Sequence, residues 1–161
     1  MGRALDPAGA KNAAVPCRVE VYTDGSADDK GRGGWAALLR YGRAEKLISG
    51  AESGTTNNRM ELTAAVAALR ALKRPCEVHL YTDSQYLKKA FTEGWLERWQ
   101  KNGWRTAART PVKNRDLWEA LLAETRRHRV FWHWQKGHAG HRENEIVDRE
   151  ANRRRRALKD P

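Results

Sequence analysis

The residues best suited to chemistry are four carboxylates and one histidine. Tyr22-Thr23-Asp24 is echoed by Tyr81-Thr82-Asp83. Each triplet closes a segment of strand-like alternation, and in open α/β sheets that edge is where sites form. If the two strands are neighbours, their axes lie about 4.8 Å apart. Two aspartates at that distance repel unless a cation sits between them. Hard divalent ions take carboxylate oxygens, and paired ions suit phosphate cleavage. A plainer reading also stands: Asp-Gly and Asp-Ser end strands as turn residues. Glu61 lies one turn into a helix that begins near Asn57, where it could equally be a capping-box acid. Asp148 lies on the last helix among Glu143, Glu145 and Glu150, where a solvated surface acid is the alternative. His138, in Lys136-Gly137-His138-Ala139-Gly140-His141, could carry a proton to a leaving oxygen, or be an exposed loop histidine. His138, His141 and Glu145 lack the HExxH spacing of a zinc site and have no cysteine nearby.

These groups must be positioned by the elements around them. Residues 1–16, rich in Ala, Gly and Pro, read as a flexible extension. Val19 and Val21 alternate with polar neighbours, which predicts a strand ending in an Asp24-Gly25 turn. Residues 33–41 and 45–51 predict two more strands joined at Gly42-Arg43, completing an antiparallel meander. Thr56, Asn57 and Asn58 offer N-cap chemistry to a helix reaching about Leu72, on which Leu62, Val66 and Leu69 recur at helical spacing. A strand at 77–83, short helices at about 84–90 and 94–100, a helix at about 113–127 and a strand at 129–135 follow. A final helix runs into Arg153-Arg154-Arg155-Arg156. Strands alternating with helices after a meander predict an α/β fold with a mixed sheet, its later strands parallel to the first.

The chain has 161 residues, the size of one domain. Its 31 Lys and Arg exceed 20 Asp and Glu, a net charge of +11 that points to a polyanionic partner. Cys17 and Cys76 cannot build a disulfide framework or a CxxC pair, which favours a reducing compartment. No apolar run has membrane length and no signal peptide is recognisable, so the expected location is the cytoplasm. Residues 88–115 concentrate the charge. Eight cations, among them Lys101 and Arg105, stand against Glu93 and Glu97, with Trp95, Trp99 and Trp104 interleaved. Aromatic faces among cations suit a nucleic-acid groove. The same tryptophans could pack a satellite core, and most of their surface is expected to be structural.

Four ordered motifs resemble type 1 ribonuclease H of the bacterial kind: Tyr22-Thr23-Asp24-Gly25-Ser26, Thr55 through Leu62, Tyr81 through Tyr86, and Lys136 through Asp148. The resemblance covers residues 17–152, leaving 153–161 as a basic tail. It implies a five-stranded mixed sheet, three antiparallel strands then two parallel, flanked by helices. By matching position, Asp24, Glu61, Asp83 and Asp148 would be metal ligands for two Mg2+ ions, with Mn2+ as a substitute. His138 would assist proton transfer or product departure. Asn57, Asn58 and Gln85 would line the minor groove of an RNA–DNA hybrid, and Thr56 would help hold a DNA phosphate. The 88–115 segment matches a basic protrusion that grips the DNA strand. The implied reaction is endonucleolytic hydrolysis of the RNA strand, leaving 5′-phosphate and 3′-hydroxyl ends, by a monomer with no obligate protein partner.

One departure stands out. Ala27-Asp28-Asp29-Lys30-Gly31-Arg32 is a residue shorter than the family's usual stretch and lacks its phosphate-pocket asparagine, so Lys30 or Arg32 is expected to substitute. Two rival readings remain: a module that binds hybrids without cutting, against which all four carboxylates speak, and a DNA nuclease or strand-transfer enzyme of the wider superfamily. The basic segment and the Asn57-Asn58 pair speak against the latter.

Overall fold

The structure, a computed structural model, describes residues 17–135 and 141–158. The expected extension at 1–16 and His138 lie outside the described residues. The chain runs β1 (Arg18–Ala27), β2 (Gly33–Tyr41), β3 (Ala44–Glu52), α1 (Asn57–Arg70), β4 (Glu77–Thr82), α2 (Gln85–Thr92), α3 (Trp95–Asn102), α4 (Arg115–Arg127), β5 (Arg129–Trp134) and α5 (Arg142–Ala157). The strands form one sheet in the order β3-β2-β1-β4-β5. β1, β2 and β3 pair antiparallel, while β1–β4 and β4–β5 pair parallel. This is the mixed sheet expected. Gly42, at φ +59°, takes the first central position of the two-residue β2–β3 turn, where a side chain would be strained.

Strand alternation sorts the core into two layers. Val19 and Val21 of β1 and Val78 and Leu80 of β4 point to one face. There they meet Leu62, Val66 and Leu69 of α1 and Trp118 and Leu121 of α4. The alanines between the α1 leucines, Ala64, Ala65 and Ala68, are fully buried, so the helix backbone lies close to the sheet. On the opposite face Tyr22, Ala36 and Leu38 receive Val147 and Ala151 of α5. Trp118 is the largest fully enclosed side chain, and its indole N–H donates to the Tyr86 hydroxyl at 3.0 Å.

Two sequence expectations need correction. Cys17 and Cys76 form a disulfide. They precede neighbouring parallel strands, and their Cα atoms lie 4.6 Å apart, so strand order joins cysteines that are 59 residues apart in sequence. The inference of a reducing compartment therefore loses its support. The second correction concerns Asp24, which does not end its strand. β1 continues to Ala27, and Asp24 pairs with Ala36. The Asp-Gly turn signal is overridden because β2 supplies ladder partners up to Ala27↔Gly33. Among the described residues, no helix is long and apolar enough to cross a membrane.

Candidate active site

The site arises from strands of unequal reach. β1 pairs with β4 only as far as Tyr22↔Tyr81, yet pairs with β2 five residues further. β4 ends at Thr82, and Ser84 turns the chain into α2. The Ser84 N–H donates to Thr82 Oγ1, and the Ser84 hydroxyl caps the helix by accepting from the Leu87 N–H. Asp83 stands at this departure, beside a stretch of β1 that has lost one neighbour. Into the gap come α1 from one face and α5 from the other.

Glycines make both approaches possible. A Cβ on Gly25 would lie 2.5 Å from the Met60 carbonyl carbon and 2.7 Å from the Glu61 nitrogen. The missing side chain lets α1 dock and brings Glu61 to the site. A Cβ on Gly34 would lie 2.1 Å from the Ala151 carbonyl oxygen, so α5 and Asp148 depend on that absence likewise. Thr56 caps α1, accepting from the Arg59 N–H at 3.2 Å. Arg59 thus holds the capping-box position, which removes the capping reading of Glu61.

The carboxylates expected from sequence converge. Asp24, Glu61 and Asp83 each offer an oxygen, and these atoms lie within 4.8 Å of one another. Asp148 is within hydrogen-bonding reach of Asp24, and Asn152 Nδ2 donates to Asp148 Oδ1 at 3.3 Å. Asp24 is 8% exposed, and its Oδ1 accepts the Gly25 N–H at 2.8 Å. Burial, then the charge of Asp83, pushes the Asp24 carboxyl up to about 7 from 3.8, against the lowering effect of that N–H. Burial, then Asp24 and Asp83, also raises Glu61 well above the usual carboxylate range. One oxygen of Glu61, Oε1, is enclosed without a hydrogen-bond partner. Clustered acids held against their own repulsion, with an unsatisfied oxygen among them, fit hard divalent cations.

The remaining candidates fall into two groups. Asn57, Asn58 and Gln85 stand exposed at the starts of α1 and α2, near the carboxylates in sequence. Asn57 Oδ1 accepts the Ala27 N–H at 2.5 Å, tying the shortened loop to α1. Within that loop Asp28 accepts from the Lys30 and Arg32 N–H groups and from Arg32 Nε at 2.8 Å. Arg32 is therefore an ion-pair partner of Asp28. The second group surrounds α3. Trp99 is the hub, with ring centroids 5.8 Å from Trp95, 6.1 Å from Trp104 and 5.8 Å from Trp118. Trp104 is buried, as the satellite-core reading expects, while Trp95 and Trp99 are half-buried. Those two, with Arg98, Asn102 and Arg105, line an open hollow of about 390 Å³, and Lys101 is exposed on the same helix.

Sequence reasoning passed over Asn152 and Arg59. Asn152 also accepts from the Ser26 hydroxyl at 3.3 Å, so it bridges β1 and Asp148. Its i,i+4 spacing from Asp148 was the available signal. Arg59 donates to Asn114 at 3.3 Å and to both oxygens of Asp116, tying the start of α1 to the start of α4.

The RNase H family profile matches residues 16–156. The chain belongs to the RNase H family. Ribonuclease H of Thermus thermophilus is 67% identical over 137 residues, covering 84% of this chain and 82% of that one. Ribonuclease H of Chromohalobacter salexigens is 59% identical, with the same coverage. A crystal structure of a type 1 RNase H with the type 2 active-site motif superposes with a TM-score of 0.78 at 30% identity, covering 90% of this chain and 75% of that one. The RNase H fold thus accounts for the whole sheet and its helices, and membership places the chain among endoribonucleases.

Proposed function

We propose that the chain is a Mg2+-dependent endonuclease that hydrolyses the RNA strand of RNA–DNA hybrids, leaving 5′-phosphate and 3′-hydroxyl ends. The observation that carries this is the convergence of Asp24, Glu61 and Asp83 within 4.8 Å beside Asp148, in a chain of the RNase H family. These four residues would hold two Mg2+ ions, for which Mn2+ could substitute. Such ions supply charge neutralisation, an activated water and stabilisation of the leaving oxygen. Asp24, fixed in β1 by the Gly25 N–H, sets the centre of the cluster. Glu61 and Asp148 complete it from opposite faces of the sheet. His138 is assigned proton transfer to the leaving 3′ oxygen.

The sheet edge would meet the hybrid's shallow minor groove, where 2′-hydroxyls distinguish RNA from DNA. Asn57, Asn58 and Gln85 are assigned to this groove and Thr56 to a DNA phosphate. The Thr56 hydroxyl already serves as the α1 cap, so its contact would add to that bond. The hollow at Trp95 and Trp99, with Lys101 and Arg105, is assigned to the DNA backbone. The enzyme is proposed to act as a monomer in the cytoplasm.

The test is incubation with labelled RNA–DNA hybrid, double-stranded RNA and double-stranded DNA, with and without Mg2+. Mg2+-dependent cutting of the hybrid's RNA alone is expected. Tight binding without cutting, or cutting of duplex DNA, would replace this reading with one of its rivals.

A further inference from the structure

The β4–β5 half of the sheet carries a cluster that the carboxylate site does not use. α5 crosses β1, β2 and β3 on one face. On the same face β4 and β5 present Glu77, His79 and Tyr81 beside Arg129, Phe131 and His133, beyond the three strands on which α5 mainly packs. His79 Nδ1 is 2.9 Å from His133 Nε2, and His79 Nε2 is 2.8 Å from Glu77 Oε2. Arg18 Nη1 reaches the same Glu77 oxygen at 3.1 Å. The ring centroids are 5.1 Å apart with planes 28° from parallel. That separation is close to the nitrogen–nitrogen distance plus the two ring radii, so the imidazoles meet edge to edge.

Proton placement follows. A carboxylate only accepts, so His79 Nε2 carries the hydrogen that faces Glu77. Neutral His79 then keeps a lone pair on Nδ1, and the His133 Nε2–H donates to it. A histidine whose far nitrogen is tied to a carboxylate is held as metal-ligating histidines are, and here its Nδ1 lone pair is occupied by the His133 N–H. His79 is also held in place, its side chain only 14% exposed. Its ring and the Tyr81 ring both flank His133, at 5.1 and 4.4 Å.

We propose that His79 and His133 form a second metal site, selective for Zn2+ over Mg2+, with Glu77 positioning His79. Two nitrogens on a tetrahedral Zn2+ at about 2.0–2.1 Å stand about 3.3–3.4 Å apart. From the present 2.9 Å the pair must open by a few tenths of an ångström and each ring must swing, so that lone pairs now aligned along the N–N line converge on an ion about 35° off it. Binding moves the His133 hydrogen from Nε2 to Nδ1, a tautomer exchange with no net loss of a proton. Water fills the remaining positions. Imidazole nitrogens suit Zn2+, whereas Mg2+ requires oxygen ligands, so the two sites divide the ions by chemistry. Arg18 and Arg129 lie nearby and weaken cation binding, but each is engaged, with Glu77 and over the Phe131 ring respectively. An ion there clamps β4 to the edge strand β5.

The test is calorimetric titration of the full chain with ZnCl2 at neutral pH, with saturating Mg2+ on the carboxylates. One Zn2+ per chain is expected. His79→Gln or His133→Gln should weaken binding more than tenfold, and Glu77→Gln by about tenfold. Zn2+ should raise the melting temperature of the parent protein and not of the histidine variants. In the unsubstituted protein, Zn2+ should shift the imidazole 15N resonances of His79 and His133, which keeps the proposal testable if a variant misfolds. Three outcomes overturn it: no Zn2+ bound in the presence of Mg2+, undiminished binding in both histidine variants, or binding lost instead in His138→Ala, His141→Ala or Asp24→Asn.

Discussion

Replacing Asp24 by Asn should stabilise the metal-free protein while ending its catalysis. Raising a carboxyl from 3.8 to about 7 corresponds to about 4 kcal/mol of disfavoured charge. The Asn variant does not recover all of it, because its amide must still be desolvated and the charge-assisted bond from the Gly25 N–H is weakened. About 2 kcal/mol is expected, which for a domain of this size is roughly 4–8 °C in melting temperature. The sign depends on pH. A carboxyl whose folded value is raised takes up a proton on folding, so its contribution is fully present below about 3.8 and is lost as pH climbs through about 7. The gap between variant and parent should therefore be widest at pH 8 and clearly smaller at pH 5, where folded Asp24 is neutral but the unfolded carboxyl, at about 3.8, has already ionised. Saturating Mg2+ should reverse the order at pH 8 by stabilising the parent alone. Thermal scans in EDTA and in Mg2+ at the two pH values measure all of this. A gap that is the same at pH 5 and pH 8 would refute the crowding argument.

Gly34→Ala should destabilise the protein by about 3 kcal/mol and depress cleavage, because the new methyl meets the α5 backbone, which cannot yield as a side chain could; an unchanged melting curve would contradict the close approach. Reducing the Cys17–Cys76 bridge, which spans 59 residues, should cost about 4 kcal/mol by loop-closure entropy, read from urea midpoints with and without dithiothreitol; a loss under about 1 kcal/mol would show that the reduced, unfolded chain already keeps these two segments close. Joint Lys101→Ala and Arg105→Ala substitution should raise KM for hybrid with kcat little changed, and make the salt slope of binding shallower by about 2; an unaltered slope would take both cations off the phosphates.

Much of this fold was legible in the chain. Alternation at Val19 and Val21 and the helical spacing of Leu62, Val66 and Leu69 marked core faces that are buried in the structure. The Gly42-Arg43 turn stood where expected. The end of β1 was obscured because Asp24-Gly25 carries a strong local turn signal, while the residues that keep it extended belong to β2. The disulfide was hidden for a similar reason: the adjacency of β1 and β4 is a property of strand order, absent from the spacing of two cysteines. Asp148 was hard to choose among four acids on one helix. The structure separates them by partner: Glu143 pairs with Arg40 and Glu150 with Arg153, while Asp148 turns toward Asp24. In the sequence only its position in the family resemblance singled it out; its place next to the buried stripe of Asn144, Val147 and Ala151 is visible in the structure. The Trp-rich segment resolved as its composition suggested, with one tryptophan buried and two left at the rim of a hollow.

Delivery of Glu61 and Asp148 from opposite layers has a consequence for the newborn chain. A folding intermediate with only one helical layer docked has at most three of its four acids assembled. On the proposed two-ion site such a species lacks a ligand, so cleavage would await the docking of both α1 and α5 on the sheet.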